Sequence, residues 1–278
     1  EKNLWVHAPL TVPIGQRYSL VRAINGFMLE RTVKKWLRQH SLRPTTVWTY
    51  HPYIHESLAR LPIQNLVYHC VDDIAAIPGI DAVAFNVAEA ELLVRADQVF
   101  TTSPRLQEHC SRIAGARSTF ERNVADIDHF AQARSDVPEP TDLARIPHPR
   151  LAYIGVLADY KLDLALIEKC VLARPDWHWI FIGEEPEGCA SPVLARLKRA
   201  TNVHFLGYRP YAQLPAYLSG IDLAVLPNLL DGYMASVFPM KLYEYLAAGK
   251  PVLSTPIPAL GDMNGIVTTA LTDADWIS

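Results

Sequence analysis

The chain has 278 residues, half of them apolar and a fifth charged, with a formal net charge of −3. That length can bury two ordinary cores, the composition is globular rather than disordered or fibrous, and the charge excludes the strong basic field that gathers nucleic acid. No apolar run reaches the roughly 18 residues of a membrane-spanning helix, and Cys70, Cys110, Cys170 and Cys189 are too scattered for a zinc or disulfide framework and read as reduced thiols of a cytoplasmic protein.

The chain opens on Glu1-Lys2-Asn3 without a signal peptide. It closes on 274–278, which reads as the first turn of a helix, so both ends are expected to be incomplete. Short apolar or β-branched runs predict strands at 3–8, 45–50, 65–71 and 98–102. A second series follows at 151–157, 178–183, 202–207, 222–227 and 251–255. Most are apolar throughout, as strands covered on both faces of a parallel sheet are. Leu20, Ile24, Phe27, Val33 and Leu37 predict a helix between the first two runs. Another spans 163–173 and is stopped by Pro175. Leu242, Tyr243, Leu246 and Ala247 mark a third, closed by Gly249 as C-terminal cap and followed by Pro251.

Strand–helix alternation of this kind predicts an α/β protein of two Rossmann-like, doubly wound parallel-sheet domains. The alternation breaks at 135–150, where four prolines fall with little periodicity. The expected division is therefore an N-terminal domain over 1–137 with its first βα unit missing, a linker at 138–150 and a C-terminal domain over 151–278.

Open parallel sheets bind ligands at the carboxyl ends of their strands. Those ends carry His51, Asp72-Asp73 and Thr102-Ser103 in the first half. In the second they carry Gly155, Gly183-Glu184-Glu185, Gly207-Tyr208-Arg209, Pro227-Asn228 and Ser254-Thr255-Pro256. Two sheets facing each other across a cleft would gather these residues. G-x-G-x-x-G and G-x-x-x-x-G-K-[ST] are both absent, so neither a nicotinamide enzyme nor a P-loop ATPase is supported.

The stretch from Asp222-Leu-Ala-Val-Leu-Pro227 through Lys241-Leu-Tyr-Glu-Tyr-Leu-Ala-Ala-Gly-Lys-Pro-Val252 resembles the donor-binding signature of retaining glycosyltransferases with the GT-B fold, the group 1 family. Tyr153-Ile-Gly155, Asn202-Val-His-Phe-Leu-Gly207, Ala96-Asp-Gln-Val-Phe-Thr-Thr-Ser103 and Arg122-Asn-Val-Ala-Asp-Ile-Asp-His-Phe130 are similar to further family segments in the same order. The resemblance covers roughly 65–267. It implies transfer of a sugar from a nucleotide-sugar donor, held by the C-terminal domain, to a glycan or lipid-linked acceptor on the N-terminal domain. It also implies a UDP- or GDP-sugar as substrate, no further cofactor and no metal, a place in bacterial polysaccharide synthesis, and peripheral contact with the inner face of the membrane.

In the family the carboxylate at Glu244 accepts from the ribose hydroxyls; the alternative is a solvated helix-surface glutamate. Ser236 reads as the helix N-cap, with Pro239 in the first turn, so that free amides would face the donor; Lys241, with Leu242 beside it, either adds charge there or simply points to water. The family usually has a second carboxylate eight positions before Glu244, where this chain has Ser236. Asp231, on a loop five residues longer, either takes the sugar-side role or only makes an Asp-Gly turn. Lys161, six residues after Gly155, matches the family's phosphate-binding lysine or simply opens a helix. Gly155 would let backbone approach phosphate. Tyr208 and Arg209 fall in the nucleobase loop, Tyr208 either stacking or facing solvent. On the acceptor side, His51 corresponds to a histidine near the sugar's primary hydroxyl or is structural, and Asp72 orients the acceptor hydroxyl, acts as base or caps a helix. Glu89 and Glu91 read as surface or ion-paired. A nucleotide-sugar epimerase and a catalytically inactive sugar-nucleotide-binding protein are the rival readings.

Overall fold

The computed structural model describes every residue except 1–3, 13–17, 43–45, 59–60, 62, 187–190, 231, 262 and 264. The chain divides into two units, Glu1–Glu121 and Arg122–Ser278, each built on one parallel sheet.

The first unit begins with an extended segment at 4–12 and the helix α1 (Ser19–Gln39), followed by β1 (Thr46–Thr49), α2 (His55–Leu58), β2 (Asn65–Cys70), α3 (Ala82–Arg95), β3 (Gln98–Thr101), α4 (Pro104–Ala114) and β4 (Ser118–Phe120). The sheet order is β1-β2-β3-β4, all parallel. Asp81 caps α3 by accepting from the Ala84 amide at 3.0 Å. Ser103 caps α4 through the Leu106 amide, with Pro104 in the first helical position, where no amide is needed. The strand expected at 3–8 does not form over its described residues. Asn25 on α1 takes up the backbone of Val12, accepting from its amide at 2.7 Å and donating to its carbonyl at 3.1 Å. Trp5 packs edge-on against Trp36, so a helix face, not a strand, serves as partner.

The second unit contains α5 (Ile127–Ala131), β5 (Arg150–Ile154), α6 (Leu164–Ala173), β6 (His178–Ile182), α7 (Pro192–Leu197), β7 (Val203–Gly207), α8 (Leu214–Ser219), β8 (Leu223–Leu226), α9 (Lys241–Ala247), β9 (Val252–Ser254), β10 (Thr268–Thr269) and α10 (Asp273–Ile277). Its sheet order is β10-β9-β8-β5-β6-β7. The side chains of β5 and β6 are buried on both faces of the sheet, Trp179, Ile180 and Phe181 among them, which is why these runs show no alternation.

The linker expected at 138–150 is instead part of this unit. Leu143 and Ile146 lie in its core. Arg150, 2% exposed, pairs with Glu139 and donates to the carbonyls of Ile146 (2.7 Å) and Gly220 (3.0 Å). A buried guanidinium satisfied by a carboxylate and two carbonyls fixes the segment despite its prolines. The boundary therefore falls before Arg122 rather than at 137.

Glu89 is buried at 4% exposure and is not a surface residue. It accepts from the Tyr68 hydroxyl at 2.6 Å and faces His109 Nε2 at 2.8 Å. The hydrogen bond to Glu89 raises the His109 pKa; burial and Arg112 oppose the rise and Asp73 assists it. A histidine whose folded pKa lies above its unfolded value of about 6.5 stabilises the fold fully below that value. The contribution is lost as pH rises through the folded pKa. The urea midpoint followed by tryptophan fluorescence should fall between about pH 6 and about pH 8, and fall less in His109→Gln. Equal falls in the two proteins would contradict this pairing.

Candidate functional site

Three neighbouring strands of the second sheet run into glycine at their carboxyl ends. The Gly155 amide donates to the Ile182 carbonyl and the Gly183 amide to the Gly207 carbonyl, both at 2.9 Å. A Cβ on Gly183 would overlap the Gly155 carbonyl, and one on Gly155 would lie 2.7 Å from the Tyr153 hydroxyl. Gly183 therefore packs on backbone and Gly155 on the Tyr153 ring, so neither strand end has room for a Cβ of its own.

The chain leaves β5 for β6 and β7 on one side, then returns to place β8 on the other side of β5. The junction of β5 and β8 is thus the topological switch point, where an open α/β sheet offers a crevice. Lys161 sits on the loop after β5. That loop is zipped to the segment after β8 by the Asp163 amide to the Pro227 carbonyl (2.8 Å) and the Leu229 amide to the Lys161 carbonyl (2.9 Å). Lys161 Nζ lies 5.0 Å from the Tyr233 ring centre and 5.7 Å from that of Tyr160. Two aromatic faces thus hold a half-buried cation close to the switch point.

Glu244 stands in the first turn of α9 and is 3% exposed, so it is no solvated surface residue. One of its oxygens receives Lys241 Nζ at 2.8 Å. A carboxylate offers about four acceptor positions, leaving capacity for hydroxyls. The neighbouring Tyr245 is fully buried, and its hydroxyl accepts from the Ile154 amide at 2.8 Å. This bond ties the helix of Glu244 to the last residue before Gly155.

Several sequence expectations are corrected here. Ser236 does not cap α9: it ends a 3₁₀ turn, Gly232–Ser236, and is buried, while the N-cap position is Met240. The amides of Leu242, Tyr243 and Glu244 bond the carbonyls of Pro239 (3.1 Å) and Met240 (3.0 and 3.4 Å), so they are not available to a ligand. Leu242 is fully buried and serves the core. The Arg209 guanidinium is engaged with Asp142 (2.7 Å) and Tyr217 (2.5 Å) and holds the loop rather than facing a base. Tyr208, in contrast, is 63% exposed. Asp231 lies outside the described residues.

Sequence reasoning missed Tyr211. Its ring stacks on His129 at 4.7 Å and 13°, and His129 Nε2 lies 3.0 Å from its carbonyl. Burial, then the charges of Glu244 and Asp126, raise the Tyr211 hydroxyl pKa, which places this aromatic platform in the field of the Glu244 carboxylate. The only sequence signal was an aromatic residue in the loop after β7.

In the first unit, His51 follows β1 and Asp72 follows β2, at the ends of adjacent strands. His51 Nδ1 accepts from the Tyr53 amide at 3.4 Å, and burial lowers its pKa. With Arg22, Tyr53 and Asp81 it lines a groove of about 1560 Å³. Asp72 is half-buried; Asp73, not Asp72, occupies the N-cap position of the following turn. Among the described residues no group of three or more His, Cys, Asp or Glu side chains is arranged to hold a metal, and no helix is long and apolar enough to cross a membrane. Cys70, Cys110 and Cys170 are buried and free, and Cys189 lies outside the described residues.

Residues 148–276, within the second unit, match the family described as Glycosyl transferases group 1. A Bacillus subtilis (strain 168) protein named for a glycosyltransferase role in teichuronic acid biosynthesis, TuaH, is 31% identical over 180 residues. The match covers 63% of this chain and 44% of TuaH, so the chain spans less than half of that relative. HepE of Anabaena, solved in complex with UDP and glucose, superposes with a TM-score of 0.66 at 19% identity, over 96% of this chain and 73% of that one. Sucrose-phosphate synthase of Thermosynechococcus elongatus superposes with a TM-score of 0.67 at 15% identity, over 97% and 71%. At such identities these structures establish the fold, the two-sheet GT-B architecture.

Replacing Tyr245 by Phe leaves the buried Ile154 amide unpaired, which costs about 1–3 kcal/mol. Thermal and urea unfolding of Tyr245→Phe should show that loss; unchanged stability would contradict the role of this bond.

Proposed function

We propose that the protein is a glycosyltransferase that moves a sugar from a nucleoside-diphosphate sugar to a glycan or lipid-linked acceptor in bacterial polysaccharide synthesis. The observation that carries this reading is the buried Glu244 carboxylate on a helix tied to the end of β5 through Tyr245, with Lys161 on the loop that leaves that strand. The group 1 family match over 148–276 supports it, as does TuaH's name. The complexes of HepE with UDP favour a uridine nucleotide as donor.

In this reading the nucleobase lies on the loop after β7, against Tyr208 or Tyr211, and the ribose hydroxyls donate to Glu244. The diphosphate crosses the ends of β5 and β6, at Gly155 and Gly183. The bond between the anomeric carbon and the diphosphate oxygen breaks, and the acceptor oxygen bonds to that carbon. The nucleoside diphosphate leaves with the electron pair, and its charge is offset by Lys161. Lys241, paired with Glu244, keeps that carboxylate tolerable in a buried place. The acceptor hydroxyl gives its proton to a base, for which Asp72 is the proposed group, with His51 beside the sugar. Retention of configuration and independence from metal belong to the proposal on the strength of the family alone.

Contact with a membrane surface is favoured by one exposed line along α1, where Leu20, Ile24 and Phe27 are followed by Arg31, Lys35 and Arg38. Apolar residues that sink and cations that meet anionic headgroups suit such a surface.

Calorimetric titration with UDP, GDP and their sugars, together with transfer of labelled sugar to bacterial membranes, tests the reading. Glu244→Gln should weaken binding of the nucleotide roughly 10- to 100-fold, the range of a hydrogen bond to a charged group. Lys161→Ala should weaken binding of the diphosphate but not of the nucleoside monophosphate. Label should enter a product only when acceptor is supplied, and turnover without acceptor would point to an epimerase. Unchanged affinity and turnover in both variants would remove the site assignment.

A further inference from the structure

The switch point contains one side chain that the reading above leaves unused. Asn228 lies two residues beyond β8, is 3% exposed, and its Nδ2 has no hydrogen-bond partner among the described residues. A buried donor left without an acceptor destabilises a fold, and a native fold keeps few of them. The backbone of Asn228 is fully committed. Its carbonyl accepts from Thr255 Oγ1 at 2.7 Å and its amide donates to the Leu226 carbonyl at 2.9 Å. It also forms an antiparallel bridge with Leu162 on the Lys161 loop. The position of the residue is therefore fixed by its main chain, and its side-chain Nδ2 contributes no bond to the fold among the described residues.

Two other buried side-chain nitrogens lack partners among the described residues, His69 Nδ1 and Trp179 Nε1. Both belong to the bodies of strands, β2 and β6, and a histidine nitrogen needs no acceptor in one of its tautomers. Asn228 alone of the three lies past the carboxyl end of a strand, on a strand that borders the switch point.

We infer that Asn228 is a further donor-binding residue, whose side-chain amide donates a hydrogen bond to an oxygen at the sugar–diphosphate end of the nucleotide sugar. The strand order gives the direction. The exposed Tyr208 and the Tyr211 platform follow β7, and β8 lies three strands away across β6 and β5, about 14 Å at ordinary strand spacing. A ligand whose base rests after β7 and whose phosphates cross the glycine ends reaches β8 with its far end. Phosphate and sugar hydroxyl oxygens at that end accept hydrogen bonds, which is what an orphaned amide donor lacks. Lys161, joined to Asn228 through paired loops, supplies charge at the same place.

This inference rests on the nucleotide-sugar reading, and the test separates the two. Asn228→Leu, with Asn228→Ala as a smaller replacement, is compared with wild type by thermal unfolding without ligand. Both are then titrated with UDP-glucose and GDP-mannose as nucleotide-sugar probes and with UMP and GMP. Removing an unpaired buried amide should leave the unfolding temperature unchanged or raised in at least one variant. Affinity for the sugar nucleotide should fall about tenfold, the effect of one hydrogen bond, and affinity for the monophosphate should hold. A variant that keeps wild-type affinity for both ligands, or one in which stability and both affinities fall together, would overturn the assignment. Wild-type protein that binds none of the four nucleotides would instead remove the parent reading, and this inference with it.

Discussion

The hydrogen bond from the Ile154 amide to the Tyr245 hydroxyl is the constraint on which the second unit's site depends. Ile154 is the last residue of a fully buried strand, and its amide must find an acceptor inside the protein. The acceptor comes from α9, one residue beyond Glu244. Meeting a backbone requirement of the sheet therefore ties the helix that carries Glu244 to the strand end before Gly155. Further contacts brace the same helix from the preceding loop. Phe238 stacks on Tyr243 at 5.1 Å, and Asn123 Nδ2 donates to the Phe238 carbonyl at 3.1 Å. A short helix that would be marginal alone becomes a rigid mount.

With that mount in place, the chemistry follows from what the sheet leaves open. Glycine at the ends of β5, β6 and β7 removes side chains where a phosphate would pass, and the packing around Gly155 and Gly183 leaves no room for a Cβ at those two. The cation at Lys161 is held against the faces of Tyr160 and Tyr233. Glu244, by contrast, is paired with Lys241, as a carboxylate buried to this degree needs to be. The strand order supplies direction, setting the aromatic loop after β7 apart from Asn228 after β8.

Much of this was legible in the sequence. The apolar runs at 151–157, 178–183, 202–207, 222–227 and 251–255 became β5 to β9 because two-sided burial erases alternation, and that signal is local. The parallel α/β class and the place of Glu244 on a helix followed from the same periodicity. What sequence could not carry is tertiary. β4 and β10 span only three and two residues, too few to register as runs. The prolines of 138–150 read as a linker because the Arg150–Glu139 pair that anchors them is formed only in the fold. Arg209 looked free because its partner, Asp142, is 67 residues away. Ser236 looked like a cap because it precedes the helix pattern, yet the 3₁₀ turn at 232–236 intervenes and turns it inward. The missing partner of Asn228 is likewise visible only once every neighbour has a place.

The central claim is that a nucleoside diphosphate lies across the carboxyl ends of β5 and β6, with its ribose at Glu244. A crystal structure of the protein soaked with UDP tests this in one step. The account predicts density for the diphosphate beside the Gly155 and Gly183 backbones, with a ribose hydroxyl within hydrogen-bond distance of the Glu244 carboxylate. Nucleotide bound elsewhere on the molecule, with the ends of β5 and β6 bare, would contradict it.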